Sequence, residues 1–419
     1  MGLESLARQR EIYLNGFAGI NSFVPVSFSE LEEAARKRLS TRAYAYIAGA
    51  AGNESTMRAN TQSFEKIKIV PRMLRNVSVR DTSVTLFDQK MPSPILLAPV
   101  GVLELAHRDA DLAVAKAAAA LNAPYIFSNQ ASQPMEEVSL AMGNSPRWFQ
   151  LYWSTSNELV KSFVHRAEKS GCSAIVVTLD TTMLGWRTRD LDVAYLPFLE
   201  GRGIAQYTSD PVFQELMNEG EAPATRKITW QSLIGLMQII KNYPGANFFS
   251  KLTSGRPIKA VQKFISIYSN PSLTWNDLEY LREVTKLPVV LKGILHEADA
   301  RKAIDFGVDG IIVSNHGGRQ VDGSISTIDA LPSIVDVVQG KIPVLMDSGI
   351  RGGADIFKAL ALGARAVCVG RPYVYGLAVA GEQGVKEVLQ NIMTDFELTM
   401  GLAGCAVVSE ITRENIATN

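Results

Sequence analysis

Hydrophobic residues along this chain fall into short continuous runs, and most runs are followed by a longer stretch with helical spacing. Short apolar runs that end in small or polar residues are typical of parallel strands buried on both faces. Eight of them begin near Ile95, Ala123, Arg147, Ala174, Pro288, Gly310, Pro343 and Ala366. Apolar residues that recur at intervals of three and four predict helices over 109–121, 157–170, 275–286, 298–306 and 354–362. The chain is therefore predicted to alternate strand and helix.

This alternation is compatible with two α/β architectures. Eight strand–helix units close into a (β/α)8 TIM barrel, in which right-handed connections leave no sheet edge unpaired. The other architecture is an open, doubly wound sheet, which predicts a Gly-x-Gly-x-x-Gly turn after the first strand. The residues at that position, Pro99 to Glu104, lack this pattern. We therefore predict the barrel.

The interval between the fourth and fifth runs is far longer than the others, which predicts an insertion there. Since it leaves the carboxyl end of a strand, where barrel active sites lie, we expect it to act as a lid. Helices are predicted over 233–241 within it and over 29–38 near the N-terminus, the latter with Ser29 as N-cap. The single domain 1–419 is predicted to comprise an N-terminal helical extension (1–90), strands 1–4 (91–190), the lid insertion (191–271), strands 5–8 (272–380) and C-terminal helices (381–419).

Composition and charge exclude several classes of partner. The 42 Lys and Arg residues balance 42 Asp and Glu residues, which argues against binding to nucleic acid or to an anionic membrane. The three cysteines are too few and too scattered for a disulfide framework, which favours a reducing compartment. No secretory signal, membrane-spanning run or peroxisomal C-terminal address is visible, so a cytoplasmic location is expected.

Polar residues are concentrated at the predicted strand ends. Each of them alone could be a helix cap or part of a loop ion pair, but the carboxyl ends of barrel strands converge on one mouth. In the last two loops, glycine permits close backbone approach and arginine offers a guanidinium fork, which together suit a phosphate group. The residues concerned are Gly349, Arg351, Gly370 and Arg371. Alternatively, these glycines only permit tight turns.

Lys292 and His316 are the most informative single residues. A lysine at the end of a buried strand needs an anionic partner, either a carboxylate such as Asp347 or a reduced, anionic flavin ring. His316 is followed by two glycines and Arg319, which places a base beside a carboxylate-binding group, as the dehydrogenation of a 2-hydroxy acid requires. Asp180 could orient the imidazole and stabilise its cation.

The other histidines and the metal hypothesis are less informative. Metal binding is disfavoured, because no second histidine or clustered carboxylate lies at ligand spacing, and no metal is predicted. The remaining three histidines are interpreted as supporting, surface or capping groups: His107, His165 and His296.

The motif from Ser314 to Gln320 resembles that of the FMN-dependent α-hydroxy acid oxidase and dehydrogenase family. The similarity extends over about 28–411, is greatest to the lactate-oxidising branch, and is carried also by Leu291–Gly293, Asp347–Arg351, Gly370–Pro372, Pro99–Val102, Leu179–Asp190 and Ser209–Phe213. It implies a flavoprotein oxidoreductase with FMN as cofactor, a small 2-hydroxy acid and molecular oxygen as reactants, and a homo-oligomer of four or more subunits.

The resemblance also implies roles for individual residues. His316 would be the catalytic base with Asp180 as its partner. The substrate would be bound by Tyr46, Tyr152, Arg187 and Arg319. FMN would be bound along its ring by Pro99, Val100, Gly101, Ser128, Gln150, Thr178, Lys292 and Ser314. Its ribityl phosphate would be held by Asp347, Gly349, Arg351, Gly370 and Arg371.

Two positions bear on the reaction outcome. Gly101 stands where many oxidases of the family carry alanine, and glycine there resembles the monooxygenase branch. Gln130 stands where glycolate oxidases carry tryptophan, which indicates a small or mildly polar acid. The expected reaction is oxidation of (S)-2-hydroxy acid, foremost L-lactate, with retained pyruvate decarboxylated to acetate. The alternative is an oxidase that releases pyruvate and hydrogen peroxide.

Overall fold

The N-terminal extension contains helices and short strands. The computed structural model describes residues 4–218, 230–245 and 247–418. The extension comprises α1 (Glu4–Phe17), α2 (Phe28–Arg38), α3 (Thr41–Ala48), α4 (Ser55–Glu65), β1 (Ile67–Ile69), β2 (Val84–Leu86) and β3 (Gln89–Met91). The sequence analysis predicted a helical extension, but the extension also contains three short strands.

The prediction of Ser29 as N-cap of α2 is wrong. The cap is Ser27, whose hydroxyl accepts a hydrogen bond from the Glu30 backbone N–H. Both serines precede a glutamate by three positions, so the capping pattern did not distinguish them. Phe28 decides the boundary, because its ring packs 5.8 Å from that of Tyr375 and begins the buried face of the helix.

The predicted eight strands form a closed parallel barrel. They are β4 (Ile95–Leu97), β5 (Tyr125–Phe127), β6 (Arg147–Leu151), β7 (Ile175–Thr178), β8 (Val289–Ile294), β9 (Gly310–Val313), β10 (Val344–Met346) and β11 (Ala366–Val369). The last strand pairs with the first, with Val367 opposite Ile95. This pairing confirms the TIM barrel and excludes the open sheet.

Helices surround the barrel, and the five helices predicted between strands are all present. The helices before the insertion, predicted or not, are α5 (Ala110–Ala120), α6 (Met135–Met142) and α7 (Asn157–Lys169). The segment after β7 holds α8 (Thr188–Asp192), α9 (Ala205–Thr208), α10 (Pro211–Leu216), α11 (Trp230–Asn242), α12 (Phe248–Ser254) and α13 (Arg256–Ile267). The remaining helices are α14 (Asp277–Val284), α15 (Glu297–Asp305), α16 (Thr327–Val338), α17 (Gly353–Ala361) and α18 (Arg371–Leu402).

The C-terminal region differs from the expected set of helices. One long helix, α18, crosses the predicted boundary at 380 and kinks at Gly381, where the backbone φ is 59°. It is followed by β12 (Ile416–Thr418), which pairs antiparallel with β1 of the extension. A strand this short, with a polar exposed end, lacks the apolar signal that identified the barrel strands.

Alternate side chains of the barrel strands face the interior and the helices, and both layers are buried. The interior cluster contains Leu96, Ile126, Trp148, Val176, Val290, Ile312, Leu345 and Cys368. The β2–β3 hairpin adds Val84 and Met91 to this cluster, and the ring of Phe87 lies 5.4 Å from Trp148 near the start of β6. The hairpin thus closes the amino-terminal end, which leaves the carboxyl ends of the strands as the open mouth. Within the described residues, no helix has the length and apolar character needed to span a membrane.

Candidate active site

A cavity of about 1170 Å³, including its mouth, opens at the carboxyl ends of the barrel strands. The predicted site residues that line it are Tyr46, Pro99, Val100, Gly101, Tyr152, Arg187, Lys292, His316, Arg319, Asp347, Gly349, Arg351, Gly370 and Arg371. Residues from the N-terminal extension and from both halves of the barrel therefore meet in one place.

The remaining predicted residues lie behind this lining. Ser128, Gln150 and Thr178 form a buried hydrogen-bonded row across three adjacent strands, with distances of 3.1 Å and 2.9 Å between the side-chain atoms. Asp180 contacts His316, and Ser314 accepts a hydrogen bond of 2.8 Å from Lys292 Nζ. The polar row ends beside Lys292, since Thr178 pairs with that residue in the sheet register.

His316 and Asp180 form a close pair. The distance from His316 Nδ1 to Asp180 Oδ1 is 2.8 Å. Lys292 Nζ lies 3.2 Å from Asp347 Oδ2 and 3.7 Å from Asp180 Oδ2, so the ammonium is shared by two carboxylates. The anionic partner that the sequence required for Lys292 is thus provided by the protein itself.

Burial and charge set the protonation states of this group. Burial lowers the pKa of His316 below its ordinary value of 6.5, Asp180 opposes this shift, and Lys292 adds to it. Burial alone would raise the pKa of Asp180, but Lys292 and His316 hold it well below its usual range. Burial would lower the pKa of Lys292, but Asp180 and Asp347 raise it. At neutral pH the site therefore holds a neutral imidazole at His316, a carboxylate at Asp180 and an ammonium at Lys292.

The backbone that carries His316 has an uncommon conformation. His316, Gly317 and Gly318 all have positive φ, at 58°, 68° and 77°. For a residue with a side chain this costs about 1–2 kcal/mol. The turn is held by hydrogen bonds from the His316 N–H to Ser314 Oγ (3.1 Å) and from the Gly317 N–H to Ser348 Oγ (2.9 Å). Glycine is required at 318, since a Cβ there would lie 2.6 Å from the Met57 backbone nitrogen.

Arg319 and Arg187 place two guanidinium groups at the same cavity. Arg319 Nη1 donates to the carbonyl oxygens of Tyr46 and Gly49, both at 2.7 Å. Arg187 donates to the carbonyl of Arg319 and to the side chain of Gln320. Within the described part of the chain, neither guanidinium forms an ion pair with a carboxylate. Burial and the neighbouring Arg187 lower the pKa of Arg319, and Tyr46 and the Asp190 carboxylate only partly oppose this shift.

A second cationic region lies where loops seven and eight meet. Arg371 donates to the carbonyl oxygens of Gly317 and Gly49, at 3.1 Å and 3.0 Å. Arg351 packs over the Phe28 ring, and its buried Nε atom has no hydrogen-bond partner among the residues that the structure describes. Burial lowers the pKa of both guanidiniums. An orphaned buried donor beside a second guanidinium is what a phosphate group would satisfy.

The two glycines of this region differ in the space around them, which gives a matched pair of variants. Gly349 has a φ of 89°, and a Cβ there would overlap the Asn60 carbonyl oxygen. At Gly370 the nearest atom to an added Cβ is 3.7 Å away, and φ is −114°. We expect G349A to unfold or to lose several degrees in Tm, whereas G370A stays folded. Thermal unfolding followed by circular dichroism tests this, and equal Tm values would contradict the assigned backbone geometry.

Several residues at the cavity were not predicted from the sequence. Thr181 and Ser348 adjoin predicted residues and make hydrogen bonds within the site. Phe198 and Tyr268 line the cavity from the insertion, where Tyr268 stacks on Phe264 at 4.9 Å. Aromatic residues in an insertion carry no pattern that separates a cavity wall from a core. Proximity to Asp180 and Asp347 was the only available signal for the two hydroxyl residues.

The other histidines lie outside the cavity lining. His296 caps α15 by accepting a hydrogen bond from the Ala298 N–H, which confirms its interpretation as a capping group. His107 accepts a hydrogen bond from the Asp109 N–H and packs near the kink at Gly381, so it does not support the site residues. Among the described residues, no group of three or more His, Cys, Asp or Glu side chains could hold a metal ion.

A closed barrel with a buried imidazole–carboxylate pair and two guanidiniums at its mouth matches the arrangement expected of a flavin-dependent oxidoreductase of 2-hydroxy acids. Residues 35–418 match the family model described as FMN-dependent dehydrogenase. The chain belongs to this FMN-dependent dehydrogenase family, which is an enzyme family that uses FMN.

Proteins similar to this chain support the same class. L-lactate oxidase from Lysinibacillus sphaericus is 41% identical over 94% of this chain and 93% of its own. An FMN-dependent alpha-hydroxy acid dehydrogenase from Penicillium citrinum is 41% identical over 97% and 94%. The crystal structure of mandelate oxidase superposes with a TM-score of 0.75 at 35% identity, over 94% of this chain and 99% of that one. FMN-dependent oxidation of a 2-hydroxy acid follows from these matches.

Proposed function

We propose that this enzyme oxidises L-lactate with molecular oxygen and decarboxylates the retained pyruvate to acetate, as a lactate 2-monooxygenase. The observation that carries the proposal is His316, which is paired with Asp180 and lines the same cavity as the Arg319 and Arg187 guanidiniums. A base and a carboxylate-binding group at one small site suit a short 2-hydroxy acid.

The residues around the cavity fit FMN. Arg351 and Arg371 would bind the phosphate, with Gly349 and Gly370 allowing close approach of the backbone. Pro99–Gly101 would contact the ring, and Lys292, Ser314 and the Ser128–Gln150–Thr178 row would bind its polar atoms. When bound, FMN would supply the two-electron acceptor for the substrate and the electron donor to oxygen. The orphaned Arg351 Nε supports this assignment, since a phosphate oxygen would satisfy it.

His316 would act as the base on the substrate. Its Nδ1–H donates to Asp180, so the Nε2 lone pair is free to accept a proton. The lowered pKa of His316, caused by burial, keeps the imidazole neutral before reaction. Once it is protonated, the Asp180 carboxylate stabilises the imidazolium. Arg319 and Arg187 would fix the substrate carboxylate, and the Tyr46 and Tyr152 hydroxyls would donate further hydrogen bonds.

Retention of pyruvate in the site would decide whether the enzyme acts as a monooxygenase or as an oxidase. Lactate and oxygen give pyruvate and hydrogen peroxide, and these two react to acetate, carbon dioxide and water if pyruvate stays in place. We propose that the insertion covers the site, because its residues Phe198 and Tyr268 line the cavity and Gly203 lies against Val102. Gly101 supports the monooxygenase outcome. The similarity to L-lactate oxidase favours the second candidate, an oxidase that releases both products.

Two measurements test the proposal. Anaerobic mixing with L-lactate is expected to bleach the flavin absorbance, whereas D-lactate should not. In air and with catalase added, acetate is expected as the main product, because catalase removes free peroxide and prevents decarboxylation in solution. Pyruvate in amounts equal to lactate consumed would establish the oxidase instead. Glycolate and mandelate in parallel would show whether the small-acid preference is correct.

We also propose a cytoplasmic homo-oligomer, a tetramer or larger. The three cysteines are buried and unpaired, which suits a reducing compartment. Large apolar side chains in and after α1 are exposed in the single chain, including Tyr13, Leu14, Phe17 and Phe23. Contact with another subunit would cover them. Light scattering on the purified protein measures the subunit number directly.

A further inference from the structure

Thr181 lies next to both members of the base–carboxylate pair. It follows Asp180 just beyond the carboxyl end of β7, and it lines the cavity with a side chain that is almost fully buried. Its Oγ1 donates a hydrogen bond of 2.9 Å to Asp180 Oδ1 and lies 3.2 Å from His316 Nδ1. The three side chains thus form a closed triangle around one carboxylate oxygen.

We infer that Thr181 is a positioning residue that holds Asp180 and His316 in the geometry needed for proton abstraction. This inference rests on the proposed role of His316 as the base. Apart from His316 itself, Thr181 is the only side chain among the described residues that donates a hydrogen bond to the Asp180 carboxylate. The second oxygen, Oδ2, has no hydrogen-bond partner in the described part of the chain and lies 3.7 Å from Lys292 Nζ.

The direction of these hydrogen bonds fixes the imidazole tautomer. An ionised carboxylate can only accept, so the single hydroxyl hydrogen of Thr181 points to Asp180. The lone pairs of the hydroxyl then face His316 Nδ1. Two acceptors around Nδ1 require a hydrogen on that atom, which leaves Nε2 as the basic nitrogen. The stiff χ1 of a β-branched residue helps to keep the hydroxyl in this place.

The hydroxyl also adjusts the charge that faces the base. Burial raises the pKa of Asp180, while Lys292, His316 and the hydrogen bond from Thr181 lower it. The charged groups that act on His316 are Asp180, Lys292 and Arg187. Without the hydroxyl, more of the Asp180 charge is available to attract the imidazolium. The pKa of His316 should therefore rise when this hydroxyl is removed.

A pair of substitutions separates the hydroxyl from the shape of the side chain. T181V keeps the branched shape and removes the hydroxyl, whereas T181S keeps the hydroxyl and removes the methyl group. We expect flavin reduction by L-lactate to slow about tenfold in T181V and to stay within about twofold of wild type in T181S. KM and FMN content should be unchanged, and the acid limb of the pH profile should move to higher pH in T181V alone.

A titration without substrate keeps the result independent of the substrate assignment. The chain has four histidines, so the His316 imidazole resonance can be assigned with H316Q and titrated by NMR in FMN-free protein. A higher His316 pKa in T181V than in wild type and T181S supports the inference. Equal losses of rate in both variants, or an unmoved titration in T181V, would overturn it. If wild-type flavin is not reduced by L-lactate, the substrate proposal fails, while the titration still decides the role of Thr181.

Discussion

We expect the H316A enzyme to keep FMN bound but to lose flavin reduction by L-lactate. His316 is the only histidine that lines the cavity among the described residues, and its Nδ1 is bound to a carboxylate. Removing a positioned general base slows proton transfer by about 10²- to 10⁴-fold. Anaerobic stopped-flow absorbance measures the reduction rate, and the flavin-to-protein absorbance ratio measures FMN content.

The control for this substitution is H165A, which changes a histidine on α7 away from the cavity. Its reduction rate should equal that of wild type. FMN is expected to remain in H316A because the phosphate would be held by Arg351 and Arg371. Loss of FMN on this substitution, or a rate close to that of wild type, would show that the base is misassigned.

Substitution of Arg319 is expected to have the second large effect, which is on KM. KM reports substrate binding, and Tm reports stability. R319M removes the guanidinium that would bind the substrate carboxylate through two charge-assisted hydrogen bonds. We therefore expect KM for L-lactate to rise about 10²-fold. Removal of Arg319 relieves its repulsion with Arg187 and Arg371, but it also takes the Arg319 donor away from the carbonyl oxygens of Tyr46 and Gly49. These two effects oppose each other, so the Tm of R319M should stay within a few degrees of wild type.

R319K is the matched variant for this experiment, since it keeps the positive charge but cannot bind a carboxylate through two parallel hydrogen bonds. Its KM should lie between those of wild type and R319M. Steady-state kinetics and thermal unfolding supply both quantities. An unchanged KM in R319M would contradict the role of Arg319 as a carboxylate-binding residue, and a strong fall in Tm would show that its main role is to hold the Tyr46 and Gly49 carbonyls.

The strands and the site could be predicted to different degrees, for physical reasons. Each barrel strand is buried on both faces, so its apolar run stood out, as at Ile175–Thr178. The site followed from the fold, because parallel strands deliver their carboxyl-end residues to one mouth. Features decided by contacts between distant segments were not predictable. The pairing of β1 with β12 and the approach of Phe198 and Tyr268 to the cavity are of this kind.

The meeting of the first and last barrel strands has a consequence for how the enzyme matures. β4 and β11 are far apart in the chain, and contacts between such distant segments form slowly because a long loop must first close. The proposed FMN cradle takes Pro99 from just after one of these strands and Gly370 from just after the other. Because the proposed cradle needs residues from both strands, we expect a chain that ends before the eighth strand to bind no FMN.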